Sequence, residues 1–177
     1  MKSILTNEIM TVNLALLTLA IDGLKNNPVM HRDPGMNRFS LNKRQADELS
    51  HLADGRIRQI SRCGRSLFVP VRLNDEAGCQ NNAHYSVHMD GMITHYYYDL
   101  LVLIREASRT KPFEAVWRFG LSMDDLNHVA NTSLADLKKQ SNLSALKLCI
   151  LPKNASGTVS PRFHAVLYDW HHSAIRS

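Results

Sequence analysis

FSLNKRQADELSHLADGRIRQI (residues 39–60) and FGLSMDDLNHVANTSLADLKKQ (residues 119–140) are the two stretches that decide how this chain folds. An offset of 80 residues lays one on the other without a gap: Phe39 meets Phe119, Leu41 meets Leu121, Ala46 meets Leu126, Leu49 meets Val129, Ser50 meets Ala130 and Ile57 meets Leu137. Few letters are identical. What repeats is the placing of apolar and small side chains, and self-similarity at a fixed period marks a duplicated structural unit.

The flanks extend the match. Upstream of each stretch lies an apolar segment of helical spacing, over about 7–26 in the first half and ITHYYYDLLVLIREA (93–107) in the second. Downstream of each lies a short β-prone run, LFVPVRL (67–73) and LKLCIL (146–151). Each half therefore predicts a long helix, two short helices and an extended edge. The polar, turn-rich NDEAGCQNNAHYSVHMDG (74–91) reads as a connector, and NASGTVSP (154–161) as a loop before RFHAVLYDW, a last strand or short helix. The expected division is a first helical unit over 1–75, a linker over 76–91, a second helical unit over 92–153 and a tail over 154–177.

Within each half the two short helices have helix-turn-helix spacing. In the first, Ala46, Leu49 and Ala53 recur at i, i+3, i+7, Asp54-Gly55 reads as the turn, and Ile57 and Ile60 face inward from the second helix. Any hairpin of amphipathic helices in a plain bundle shares this pattern. What distinguishes the first hairpin is LADGRIRQISRCGR (52–65), where Arg56, Arg58, Arg62 and Arg65 fall in a run without an acid. At about 100° per residue, Arg58, Arg62 and Arg65 point opposite Ile57 and Ile60, with Gln59 and Ser61 flanking the stripe and Gly64 as a candidate helix end. Guanidinium forks with short polar side chains between them suit phosphate and guanine. Lys43, Arg44 and Arg72 extend the basic footprint. A solubilising face has the same residue types but mixes signs, whereas no acid lies between Asp54 and Asp75. In the second half Lys138 replaces Arg58, Asn142 replaces Arg62 and Ala145 replaces Arg65, and the acids Asp124, Asp125 and Asp136 are present, so that half is expected to serve as scaffold or partner surface.

Bulk properties agree with a globular nucleic-acid partner without demanding one. The 177 residues suffice for one domain or two small ones, and 21 Lys and Arg against 16 Asp and Glu give a net charge of +5. Three scattered cysteines, Cys63, Cys79 and Cys149, form no CxxC pair and imply a reducing, cytoplasmic setting rather than a disulfide framework. IMTVNLALLTLAIDGL (9–24) is interrupted by Asn13, Thr18 and Asp22, lacks a basic leader, and is shorter than the roughly 20 apolar residues a bilayer needs. It is expected to be a buried helix and no membrane segment.

With these motifs in hand, each half resembles the FlhD family, the small helical subunit of the bacterial flagellar master regulator. The resemblance runs through the apolar first helix, the aromatic-Arg-Phe-Gly-Leu-like entry (WRFGL at 117–121, NRFSL at 37–41) and the hairpin up to the Leu-rich edge, covering roughly 7–73 and 93–151. It implies a mainly α protein of two tandem FlhD-like units with helix-turn-helix-like hairpins and short β edges. It further implies a subunit that binds promoter DNA as an activator together with an FlhC-like partner, as relatives on conjugative elements do, in a homo- or hetero-oligomer. Two units in one chain depart from the single-unit family pattern and resemble a fused pseudo-dimer. The four-cysteine zinc cluster of the partner subunit is not present.

Enzyme chemistry has no anchor. GxxxxGK[ST], GxGxxG and GxSxG are all missing, and no cofactor is expected. Cys79, His84, His88 and His95 cluster in and beside the connector, but without HExxH or a second nearby cysteine they read as loop residues rather than a metal site. Asp124-Asp125 sits at a helix start, where the macrodipole favours acids. Tyr96, Tyr97 and Tyr98 read as core or subunit interface. The expected function is a DNA-binding transcriptional regulator contacting double-stranded DNA through Lys43, Arg44, Arg56, Arg58, Gln59, Arg62 and Arg65. The alternative is a protein-interaction module, a co-activator or antiactivator that never touches DNA.

Overall fold

Ile9, Val12, Leu16, Leu17, Ala20, Ile21 and Leu24 recur at three- and four-residue intervals, and that stripe is the buried face of the first helix, α1 (Ile4–Asn26). Ile93, Tyr97, Leu100, Leu101, Ile104 and Ala107 make the matching stripe on α4 (Val87–Thr110), and the two long helices pack against each other through the core. The structure, a computed structural model, describes residues 4–26, 38–41, 43–70, 87–143 and 146–148. Between the long helices in the chain come α2 (Lys43–Ser50), α3 (Asp54–Ser61) and β1 (Phe68–Pro70); after α4 come α5 (Pro112–Phe119), α6 (Met123–Asn131), α7 (Leu134–Leu143) and β2 (Leu146–Leu148). Among the described residues the protein is mainly helical, with one two-stranded antiparallel sheet.

Each long helix packs against short helices that follow it in the chain. α1 packs on α2 and α3, and α4 packs on α6 and α7. The residues aligned at an offset of 80 occupy matching places: Phe39 and Phe119, Leu41 and Leu121, Ala46 and Leu126, Leu49 and Val129, and Ile57 and Leu137 are all buried. Even the backbone matches, since Ser40 (φ 43°) and Gly120 (φ 64°) both take the left-handed conformation between these pairs. Glycine adopts it freely at the end of α5, whereas Ser40 carries a Cβ penalty.

The two halves are joined by bonds that cross between them. β1 pairs with β2 in the register Phe68–Leu148, Val69–Lys147, Pro70–Leu146. The N–H of Ser66 donates to the carbonyl of Arg118 at 2.8 Å, and the N–H of Leu146 donates to the carbonyl of Arg38 at 2.7 Å. Arg38 is itself buried, and its guanidinium donates to the Ser141 carbonyl and, at 2.7 Å, to the Asn142 carbonyl at the end of α7. These orphan carbonyls lie at the negative end of a helix, where a cation is favoured. Arg118 reaches the other way and donates to the Gly64 carbonyl just beyond α3, at 2.6 Å.

Several boundaries differ from the sequence expectation. The turn between α2 and α3 lies at 51–53, and Asp54-Gly55 forms the first turn of α3, where the acid complements the helix dipole. Residues 87–91, expected as linker, are the start of α4, because Met89 continues the apolar spacing toward Ile93. Between α4 and α6 lies a helix absent from the sequence expectation, α5, opened by Pro112 at its first turn. α1 is 23 residues, long and apolar enough to cross a membrane by length and composition, so length does not separate it from a spanning segment. Here its apolar face is packed in the core. Its interruption, Asn13, is buried, donating to the Arg65 carbonyl at 2.7 Å and the Ser61 carbonyl at 3.4 Å and accepting from the Leu67 N–H at 2.9 Å.

Candidate nucleic-acid interface

Burial of Ile57, Ile60 and Ser61 against α1 turns the opposite face of α3 outward. Arg58, Gln59 and Arg62 are exposed there, and among the described residues neither Arg58 nor Arg62 has a side-chain partner. Arg56 is half-buried and donates to the Gln59 side-chain carbonyl at 2.6 Å, which holds both side chains on the same stretch of helix. Lys43 is exposed at the first turn of α2, a turn that contains no acid. Lys43 and Arg44 therefore sit at the positive end of a helix dipole, against the local electrostatic preference. Arg44 is offset by Glu48, one turn along, at 2.8 Å.

Arg65 is placed otherwise than the helical wheel implied. α3 ends at Ser61, Arg62 is its C-cap residue, and the chain then turns through Gly64 at φ 72°. The Arg65 guanidinium lies 3.5 Å from the centroid of the Trp117 ring, a cation–π stack on the other half of the molecule. Burial pushes its pKa below the usual arginine range, opposed by the Cys63 thiol and reinforced by the Arg118 charge. It keeps its proton at neutral pH. The structure thus places Arg58, Gln59 and half-buried Arg56 on α3 and Arg62 at its C-cap, with Lys43 and Arg44 in the first turn of α2. Arg65 is held apart as a bridge between halves.

Three residues outside the predicted set shape this surface. Trp117 fixes Arg65. Arg118 holds the Gly64 carbonyl while its Nε donates to Glu114 at 2.6 Å, and that hydrogen bond draws the Glu114 carboxyl below its usual range; burial opposes the shift, and the Arg118 and Lys111 charges add to it. Asn13 clamps the turn after α3. The arginine in both WRFGL and NRFSL was the available signal for Arg118 and Arg38. The polar break in an apolar helix was the signal for Asn13.

The histidine cluster has little to report. His88 and His95 lie along α4, with exposed His95 3.6 Å from the Asp99 carboxylate, while Cys79, His84, His171 and His172 lie outside the described residues. Among the described residues no three His, Cys, Asp or Glu side chains gather as metal ligands would. The tyrosine run belongs to the core side of α4, with Tyr97 buried and Tyr96 and Tyr98 half-buried against it. Ser122 caps α6, its hydroxyl accepting from the Asp125 N–H while the Asp125 carboxylate accepts from the Ser122 N–H, a capping box. Comparison of the chain with protein families, curated proteins and solved structures finds no match.

Proposed function

We propose that this protein is a DNA-binding transcriptional regulator of the FlhD-like kind, a cytoplasmic activator subunit that works with a partner protein and is built as a fused pseudo-dimer. The observation that carries the reading is the outward face of α3: Arg58 and Arg62 project without a partner among the described residues, and no acid follows Asp54 on that helix. The helix is supported from behind by Ile57, Ile60 and the Asn13 clamp, so the basic face is rigid. The matched hairpins and crossed bonds of the two halves support the pseudo-dimer.

In this reading Lys43, Arg58 and Arg62 meet phosphates, and Gln59 with Arg58 or Arg56 reaches base edges in the major groove. Three neutralised phosphates contribute about 2.7 to the slope of log affinity against log salt. The test is a titration of a labelled random-sequence duplex pool across a salt series, with wild type and with Arg58→Ala, Arg62→Ala. Arg65 is left in place because it supports the fold. Wild type is expected to bind, and the variant to bind more weakly with a slope shallower by about 1.8. Equal affinity and slope would remove α3 from the interface.

One observation favours the alternative of a protein-interaction module. Phe113 and Trp117, one turn apart on α5, are 73% and 45% exposed while Ala115 and Phe119 on the same helix are buried. Such an aromatic face, with Arg65 across Trp117, suits a partner subunit. Under this alternative the chain alone leaves duplex unbound at every salt concentration and gains DNA association only with its partner.

A further inference from the structure

The crossed bonds have a common geometry. In the antiparallel ladder Phe68 stands directly opposite Leu148, its own counterpart at an offset of 80, so that pair lies on an approximate two-fold axis. The same operation exchanges the bond from the Ser66 N–H to the Arg118 carbonyl with the bond from the Leu146 N–H to the Arg38 carbonyl. It brings Arg38 at the end of α7 onto Arg118 just beyond the end of α3. It exchanges the positive φ of Ser40 with that of Gly120. It also matches buried Ser61, whose hydroxyl donates to the Arg58 carbonyl at 3.0 Å, with buried Ser141, whose hydroxyl donates to the Lys138 carbonyl at 2.8 Å. α3 and α7 are therefore equivalent helices in equivalent settings.

We infer that α7 carries a second surface for duplex DNA, in which Lys138 and Lys139 meet phosphates as the counterparts of Arg58 and Gln59. Both lysines are exposed, and among the described residues neither ammonium has a partner. Asn142, the counterpart of Arg62, is exposed beside them. The acid on this helix, Asp136, is turned to its N-terminus, where its carboxylate accepts from the Ser133 hydroxyl at 2.6 Å, one turn before the lysines. The inference rests on the function proposed above and adds a second site to it. On sequence alone this half reads as scaffold, because it carries fewer arginines and the acids Asp124, Asp125 and Asp136, with Asp124 as the counterpart of Arg44. The two-fold relation returns it to the interface.

The chemistry of the two helices differs in a useful way. Arginine forks read guanine and grip phosphate in two-point contacts, whereas lysine acts as a point charge on phosphate with little base discrimination. A duplex spanning both helices would meet them in opposite orientations, as the halves of an inverted repeat. The α3 half of such a site would be the more strictly specified.

The experiment uses the full chain in four forms: wild type, Arg58→Ala with Arg62→Ala, Lys138→Ala with Lys139→Ala, and Lys138→Arg with Lys139→Arg. Each is titrated with a labelled random-sequence duplex pool over a salt series after its urea midpoint is matched to wild type. The lysine-to-alanine form is expected to lose about tenfold in affinity at low salt and about 1.8 in salt slope, and the lysine-to-arginine form to retain both. If wild type and the α3 variant differ but the lysine-to-alanine form matches wild type, the second surface is wrong and the proposed function stands. If wild type binds no duplex, the proposed function falls and this inference with it. Equal loss in the alanine and arginine forms also overturns it, since charge would then not be what α7 contributes.

Discussion

Replacing Asn13 with alanine is expected to destabilise the fold by about 2–4 kcal/mol. The side chain serves two main-chain groups at good hydrogen-bond length, the Arg65 carbonyl at 2.7 Å and the Leu67 N–H at 2.9 Å, with the Ser61 carbonyl further off at 3.4 Å. A buried polar group left without a partner costs about 1–3 kcal/mol. Leu67 is buried and its N–H loses its partner outright, so it carries the upper part of that range. The Arg65 carbonyl keeps the Cys63 thiol at 3.2 Å and lies on a half-buried residue, so it carries the lower part. In a chain of this length each kcal/mol lowers the melting temperature by about 2–4 °C, giving a fall of about 5–15 °C. Urea unfolding followed by circular dichroism measures the change directly. Thr18→Ala is the control: its hydroxyl returns to the Leu14 carbonyl of its own helix on an exposed face, and its removal should stay within about 0.5 kcal/mol. A change in the Asn13 variant no larger than the control's, at an unchanged denaturant slope, would refute the clamp.

Three further outcomes follow from particular contacts. Ser40→Gly should stabilise the protein by about 0.5–1 kcal/mol in the same assay, because glycine relieves the cost of the left-handed backbone while adding some unfolded-state freedom; Gly120→Ser should destabilise it by about 1 kcal/mol. Ala53→Ser should stabilise it by about 0.5–1 kcal/mol, since Ala53 is the N-cap of α3 with no side-chain cap, whereas its counterpart Ser133 accepts from the Asp136 N–H at 3.1 Å. Glu114 has a folded pKa held below its ordinary value, foremost by its hydrogen bond to Arg118. Its stabilising contribution is complete above the unfolded carboxyl value of about 4.3 and is lost as pH falls through the depressed folded value. Glu114→Gln should therefore show a shallower fall in urea midpoint below that pH than wild type does.

The long helices and the short helices packed on them were legible because each buries apolar residues at helical spacing, and that spacing is written into the letters. The burial of positions matched at an offset of 80 was legible for the same reason: Leu49 and Val129 differ in shape but both are buried. The crossing between halves was not legible. Spacing says that β1 and β2 want partners but not that each is the other's, and Arg38 looks like any surface cation until the end of α7 is placed over it. Arg65 was misplaced because the wheel ran the helix on to Gly64, while the capped C-terminus at Arg62 stops it earlier. Asp54-Gly55 has the composition of a turn, and the helix dipole makes it equally good as a first helical turn.

The bonds between the Arg38 carbonyl and the Leu146 N–H, and between Ser66 and Arg118, also bear on how the protein is made. On the ribosome Arg38 emerges well before Leu146, and the stretch between them takes on the order of 5–20 s to synthesise. Once β1 has emerged, the first half has its own helices but not yet the Arg118 contact or its sheet partner. A nascent first half therefore has an unpaired strand edge and an α1 face not yet covered by α4. Pairing of β1 waits until β2 has been made, so this sheet closes late in synthesis.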